Sequence, residues 1–444
     1  MPLRGAAYCV RTRKPSMNTL HSLLWPALLS LACATAAAQA PVNNPEDVGM
    51  SSARLQRVDD FISRMQAEGK LTGAVTVVAR RGQVVVMKAH GLADIERQRP
   101  LRTDDIFQIQ SMTQPITVVA VLMLLEEGRF LLSDPIARFL PEFAEMKVVV
   151  LQADAPEGYV LAPVRRAITL HDLLTHRAGF IGVPPSINPP AEALRAKVAQ
   201  TLPANFDFTL EQYVKNLVSS PLASQPGTLF RYGPATEVLG RLVEVVSGRS
   251  LPEFFAERIF QPLGMVDTSF TVPVDKRARV VTAYGRSAEG ALVKVPPYPM
   301  APKFFSAAGN VFSTPADYLR FCHMLLGNGQ GQGPRSADGK SPGPRLLSRK
   351  SVELMTSRHV ESYPMLWLTG QHVGLGVSVR TAGGESGLIG SAGAYGWSGG
   401  YNTYFRIDPK EDLILMLFVQ QAFSPGDQEL QFTFHNTVMQ AIAD

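Results

Sequence analysis

Hydrophobic and polar positions change their period twice along the chain. Near the start, "SSARLQRVDDFISRMQAEG" (residues 51–69) spaces its apolar residues three and four apart, opens on serine and stops at Gly69, which predicts a helix. The next stretch, "LTGAVTVVARRGQVVVMKAHGLAD" (71–94), holds two β-rich runs split by "RRGQ" and predicts a hairpin. From Ser111 to about Phe270 the period is mostly helical, with Pro-rich interruptions such as "IGVPPSINPPAE" (181–192). Strand patterns return from about Val373, in "VGLGVSVR", "YNTYFRID" and "LILMLFVQ", before a helix-like "DQELQFTFHNTVMQAIAD". Strands at both ends with helices between predict a sheet built from both ends of the chain and a helical region inserted into it. There is no internal repeat, and "GNGQGQGPRSADGKSPGPR" (327–345) reads as an exposed loop.

Charge changes this picture only at the N-terminus. The 444 residues carry a net charge of +5, but Arg4, Arg11, Arg13 and Lys14 fall in the first forty positions, which contain no acid. The other 39 basic residues nearly balance the 38 acidic ones, so a nucleic-acid-binding surface is not indicated. The basic stretch precedes "LLWPALLSLACATAAAQA", an apolar run ending in small residues at Ala-x-Ala spacing, which reads as a signal peptide over residues 1–40 with cleavage after Ala38 or Ala40. Met17 offers a second possible initiator. A lipoprotein reading would use Cys33, but Ser30 stands where such sites usually carry Leu. No other run reaches the ~18 apolar residues of a membrane span. The expected product is an exported, periplasmic or secreted protein without a stable membrane span.

Beyond the leader only Cys322 remains, so no intramolecular disulfide is available. Its setting, "DYLRFCHMLLGNG", is an amphipathic helix and predicts a packed thiol. His171 and His176 are five apart, on different faces of a helix, and no histidine pattern matches a metal site. No metal and no cofactor are therefore expected.

Ser111 precedes a long apolar run that ends at Gly128, and Pro115 falls in the first turn, where a missing N–H is tolerated. A serine at a helix start is an N-cap candidate. It is also a candidate nucleophile, since a helix N-terminus offers N–H groups and positive potential to a developing oxyanion. One turn later, residue 114 lies on the same face and can reach the serine hydroxyl.

The stretch "FQIQSMTQPIT…LLEEGRFLLSDPIARFLPEF" resembles the nucleophile helix of serine β-lactamases and penicillin-binding-protein-like hydrolases, especially the class C β-lactamase-related esterases. The resemblance continues through "ITLHDLLTHRAGF", "RYGPATEVLGRLVEVVSG", "RIFQPLGMVDTSF", "SAAGNVFSTPADYLRFCHMLL" and "YGWSGGYNTYFRIDPKEDLILMLFVQ", in order over most of residues 50–444. It implies an α+β, β-lactamase/DD-peptidase-like fold, an antiparallel sheet flanked by helices with a mainly helical inserted domain. The sheet domain would comprise residues 41–110 and 295–444, and the helical domain, carrying the nucleophile helix, residues 111–294. It further implies that Ser111 attacks an acyl carbonyl, that residue 114 is the position of a lysine base, and that Tyr232 helps relay the proton. By the same resemblance Trp397 and Gly399 line the substrate edge, and the N–H of Gly400 joins that of Ser111 as an oxyanion donor.

Two positions depart from the family pattern. The second motif reads Tyr232-Gly233-Pro234 where lactamases carry Tyr-x-Asn, which favours short acyl esters over β-lactams. Residue 114 is Gln, an amide with essentially no basicity. No other serine has a lysine three residues on. A positioned base is typically worth about a hundredfold to ten-thousandfold, while oxyanion stabilisation can survive its loss.

A competing pattern is "GWSGG" (396–400), a Gly-x-Ser-x-Gly match centred on Ser398 and followed by Asp412, Asp427 and His435. That motif requires a helix after the serine, whereas the residues that follow read as a strand hairpin. Three readings stand: an exported serine hydrolase acting on a small-molecule ester or amide, attenuated by Gln114; a catalytically inactive relative binding a cell-wall or acyl ligand; and a normal esterase in which Gln114 is a sporadic or engineered change. Oligomeric state is not written in the sequence.

Overall fold

The hairpin expected from "RRGQ" lies toward one edge of the large sheet. A computed structural model describes residues 42–183, 188–296, 298–332, 342–361, 369–383, 387–424 and 428–444. The leader with Cys33 and Met17, and Asp427 of the competing pattern, lie outside the described residues. Numbering only the strands of the large sheet, β1 is Gly73–Arg80, β2 Gln83–Asp94, β3 Arg99–Pro100, β4 Gln371–Val373, β5 Ser378–Arg380, β6 Tyr395–Ser398, β7 Tyr404–Asp408 and β8 Leu413–Phe418. Their spatial order is β4-β5-β6-β7-β8-β1-β2-β3, and each neighbouring pair is antiparallel. The join between the two ends of the chain is the β1–β8 pair, with Val75 opposite Phe418 and Val77 opposite Met416.

Both faces of this sheet are covered, which is why β8, Leu413–Phe418, is apolar at every position instead of alternating. On one face Val75, Val77, Ile414, Met416, Phe418 and Phe405 pack into the larger core. On the other, Ala74, Val78, Leu413, Leu415 and Leu417 pack against α1 (Ser52–Ala67) and the C-terminal helix Gln428–Met439 through Phe61, Ile62, Phe434 and Val438. Each such Leu, Ile or Phe contributes roughly 1.5–3 kcal/mol by leaving water.

The larger core holds α2 (Thr113–Glu126), in which every residue from Thr113 to Leu124 is buried. A helix with no polar stripe belongs in an interior, and α2 sits between the sheet and α3 (Ala235–Ser247). The helix also packs near α4 (Pro315–Leu326), where Cys322 is fully buried with its Sγ 3.8 Å from the Met416 sulfur and its thiol pKa raised by burial. The largely helical stretch after Ser111 also contains a hairpin, Lys147–Leu151 with Tyr159–Pro163. Its side chains at 150, 151, 160 and 161 are exposed, so it lacks the inside-outside alternation by which strands are recognised.

Candidate active site

Ser111 lies not in α2 but in the single 3-10 turn Gln110–Met112 that leads into it, with Pro115 in the first turn of the helix as expected. The chain entering this turn is fixed from several sides. Gln108 pairs with Phe312, its N–H donates to Gln420 Oε1 (2.8 Å), and the Ile109 carbonyl accepts from Thr403 Oγ1 (3.0 Å). On the far side, buried Tyr318 donates to the Met112 carbonyl (2.9 Å). Gln110 itself has φ +49°, a left-handed conformation that a non-glycine residue adopts only where its surroundings enforce it, at a cost on the order of 1 kcal/mol or more.

Three side chains converge on the Tyr232 hydroxyl. The Gln114 amide Nε2–H donates to Tyr232 Oη, and the side chains of Ser111 and Trp397 also hydrogen-bond it. Gln114 is 2% exposed, and its Oε1 accepts from Thr236 Oγ1 at 3.3 Å, so both ends of the amide are engaged. Trp397 and Tyr232 meet with ring centroids 5.7 Å apart. Beneath Tyr232 lies the ring of His176, 5.0 Å away between centroids and held neutral, its pKa lowered to about 4 by burial. Burial of the Tyr232 hydroxyl raises its pKa above the usual tyrosine value despite its hydrogen bonds with these three side chains, and the nearby Glu237 adds to the rise.

Tyr232 is placed by backbone bonds to Val183, N to O at 3.0 Å and O to N at 2.7 Å. Gly233 follows because a side chain there would meet the Ile181 carbonyl at 2.8 Å. Pro234 then caps α3, and it offers no donor to a ligand at the third position of this motif.

Trp397 and Ser398 end β6, and the chain turns through Gly399 and Gly400 into β7. A Cβ on Gly399 would stand 2.1 Å from Thr403 Oγ1 and 2.4 Å from the Ile109 carbonyl, so glycine is needed for this turn to lie against the segment that carries Ser111. The Gly399 N–H donates to the Thr403 carbonyl (2.7 Å), which directs attention to the N–H of Gly400 as an oxyanion donor. Gly399→Ala should therefore separate the turn from Ser111. A displacement of about 1 Å can cost ~100-fold in rate, and steady-state ester hydrolysis by the folded variant, verified by circular dichroism, is the check; an unchanged rate would mean the turn does not position the reaction.

The walls formed by Ser111, Tyr232, Trp397, Gly399 and Gly400 belong to one cavity of ≈ 230 Å³. Ser398 also touches it, yet the described residues expected to support it as a nucleophile, Asp412 and His435, are engaged in other contacts. β6 and β7 form a hairpin with no intervening helix. The His435 ring bonds Tyr404 Oη (3.0 Å) and the Ile389 carbonyl (2.6 Å), and Asp412 sits in the β7–β8 turn at φ +47°. Among the described residues, no group of three or more His, Cys, Asp or Glu could hold a metal ion, and no helix is long and apolar enough to cross a membrane. Sequence reasoning missed Gln110, Thr236 and Glu237. Thr236 and Glu237 were within reach of it, since they fall one turn after Tyr232 at the start of a recognisable helix.

Comparison with known proteins agrees with this architecture. A protein of Mycobacterium tuberculosis described as uncharacterized is 36% identical over 366 residues, covering 79% of this chain and 86% of that protein. Esterase EstB of Burkholderia gladioli is 35% identical over 246 residues, 55% of this chain and 58% of the esterase. Among solved structures, EstCE1, a hydrolase with promiscuous acyltransferase activity, superposes with a TM-score of 0.73 at 24% identity, over 87% of this chain and 99% of that one. The model of the family described as Beta-lactamase matches residues 58–437, and the chain belongs to that family.

Proposed function

We propose that this protein is an exported serine hydrolase of esterase type that works through an acyl-enzyme on Ser111, slowed because Gln114 occupies the position of the family's lysine base. The observation that carries this reading is the convergence of Ser111, Gln114 and Trp397 on the hydroxyl of Tyr232 at the wall of a cavity. Ser111 Oγ would attack the ester carbonyl and pass its proton toward Tyr232. The oxyanion would be held by the N–H groups of Ser111 and Gly400, and collapse would expel the alcohol, which takes up the proton. Water then cleaves the Ser111 ester and releases the acid.

Gln114 can orient Tyr232 but cannot supply the positive charge with which a lysine would lower the phenol's pKa. Pro234 at the third position of the Tyr-x-Asn motif favours short acyl esters over β-lactams. The esterases among the relatives support the same choice of substrate class. A non-catalytic, ligand-binding role is favoured by one observation, the engagement of both ends of the Gln114 amide by hydrogen bonds within the fold.

Hydrolysis of 4-nitrophenyl butyrate by the mature protein, beside Ser111→Ala, separates the two. The expected result is a slow rate that Ser111→Ala lowers at least tenfold; equal rates would leave the binding role.

A further inference from the structure

One apolar surface takes no part in the cavity: the hairpin of strands Lys147–Leu151 and Tyr159–Pro163. Val148 and Val149 are buried at its base, but Val150, Leu151, Val160 and Leu161 are exposed. They fall on both faces of the hairpin, because neighbouring positions of a strand alternate.

The first strand has a neighbour on its far side. The Val149 N–H donates to the Leu222 carbonyl (3.0 Å), and the Lys147 carbonyl accepts from the Leu222 N–H (2.8 Å). Residues 147 and 149 therefore turn their backbone groups away from the second strand, and the residues directly opposite turn theirs away from the first. Val149 stands opposite Leu161, and Leu151 opposite Tyr159. The N–H and carbonyl groups of Tyr159 and Leu161 thus point out of the hairpin, and no strand of the described residues pairs with that edge. Tyr159–Ala162 contains neither a charge nor a proline, the features that ordinarily protect such an edge.

Charge flanks the edge unevenly. Asp154 and Glu157 precede it in the turn, and Arg165 follows it, all exposed. Arg166 is already paired with Asp172. An edge acidic at one end and basic at the other complements itself when reversed. With Leu161 on a two-fold axis, Tyr159 faces Pro163 of a second copy and Glu157 faces its Arg165. The neighbouring registers that keep the bonding pattern put Glu157 opposite Pro163 or Ala167 instead. The Leu161 N–H of each copy then donates to the Leu161 carbonyl of the other. The Tyr159 N–H reaches the Pro163 carbonyl, which Gln225 Nε2 now meets at 3.5 Å, the limit of a hydrogen bond. The acidic turn disfavours an anionic lipid surface as the occupant.

We propose that a second copy of this chain occupies the edge, joining the two hairpins into one continuous antiparallel sheet with Leu161 at the two-fold axis. An edge this short buries little surface, so the dimer forms at micromolar rather than nanomolar concentration. The proposal is independent of the chemistry at Ser111.

The test is sedimentation equilibrium of the mature protein at about 2 µM and about 200 µM, on either side of the expected dissociation constant. The expected result is a monomer at the lower concentration and mostly dimer at the higher. Leu161→Lys, which sets two like charges on the axis, should be monomeric at both. Glu157→Arg should weaken the dimer at least fivefold, and adding Arg165→Glu should return it to near the parent's affinity. A parent that stays monomeric at the higher concentration, a dimer that survives Leu161→Lys, or a double variant no tighter than Glu157→Arg alone would overturn the proposal. Circular dichroism verifies each fold, and if Leu161→Lys does not fold, the charge reversals on exposed side chains decide the matter.

Discussion

Gln114→Lys is expected to raise ester hydrolysis at least tenfold at pH 7 and to flatten its dependence on pH. In the unmodified protein the hydroxyl that Ser111 meets is that of Tyr232, and a phenol takes a proton only as phenolate. Burial and Glu237 hold its pKa above the usual tyrosine value. The active fraction at neutral pH is therefore small, and the rate should climb nearly tenfold per pH unit from 7 to 9. A lysine at 114 would meet the same environment with a different consequence: its charge stabilises the phenolate, and its neutral amine is itself a base. The Gln114 amide is buried beside Thr236 and Tyr232, so a lysine there would point its amine at the same oxygen. A pH–rate profile of both proteins decides the matter. A flat profile in the parent, or no gain in the variant, would mean that proton transfer to Tyr232 does not limit the reaction.

Glu237→Gln should change the pH dependence of stability. Glu237 is 6% exposed, with Ser306 Oγ donating to Oε1 and the Ala307 N–H donating to Oε2 at 2.7 Å, yet desolvation dominates and lifts its pKa from 4.5 to about 7. The folded chain thus holds this proton more tightly than the unfolded one. The corresponding stability is complete below pH 4.5 and is lost as pH rises through 7, to the extent of about 3 kcal/mol. Glutamine does not titrate. Relative to the parent, Glu237→Gln should gain up to about 3 kcal/mol between pH 5 and pH 8, read from urea unfolding at the two pH values. His176 and His435, whose pKa values are lowered, act in the opposite sense, losing stability as pH falls, but they are common to both proteins and cancel in the comparison. An identical difference at both pH values would show that Glu237 is ionised in the fold throughout.

Much of this arrangement can be read from the chain, and the remainder is hidden for definite reasons. The β1–β2 hairpin announces itself through β-branched runs around "RRGQ", and β8 through six consecutive apolar residues, because these patterns follow from local geometry. Ser111 and Gln114 are legible as a pair because helical spacing brings them to one face. What joins them to Tyr232 and Trp397 is the packing of α2 against α3 and of the β6 edge against the 3-10 turn, contacts between residues more than a hundred positions apart that no period encodes. The left-handed Gln110 is equally silent, since its neighbours impose the conformation. Arg406 misleads more actively: in "YNTYFRID" it reads as an ordinary polar residue on the solvent side of a strand, and only the covering helix Gln428–Met439 makes that side an interior.

The pairing of Val75 with Phe418 also sets the order in which this molecule can come into being. The two parts of the sheet join only when its last strand, β8, has been made, and such distant closure is slow. Until then α2, apolar around its whole circumference, has neither the sheet nor a polar face of its own to shield it. The helix that carries the machinery into position thus keeps its apolar surface uncovered until the last strand arrives, a condition that favours misassembly.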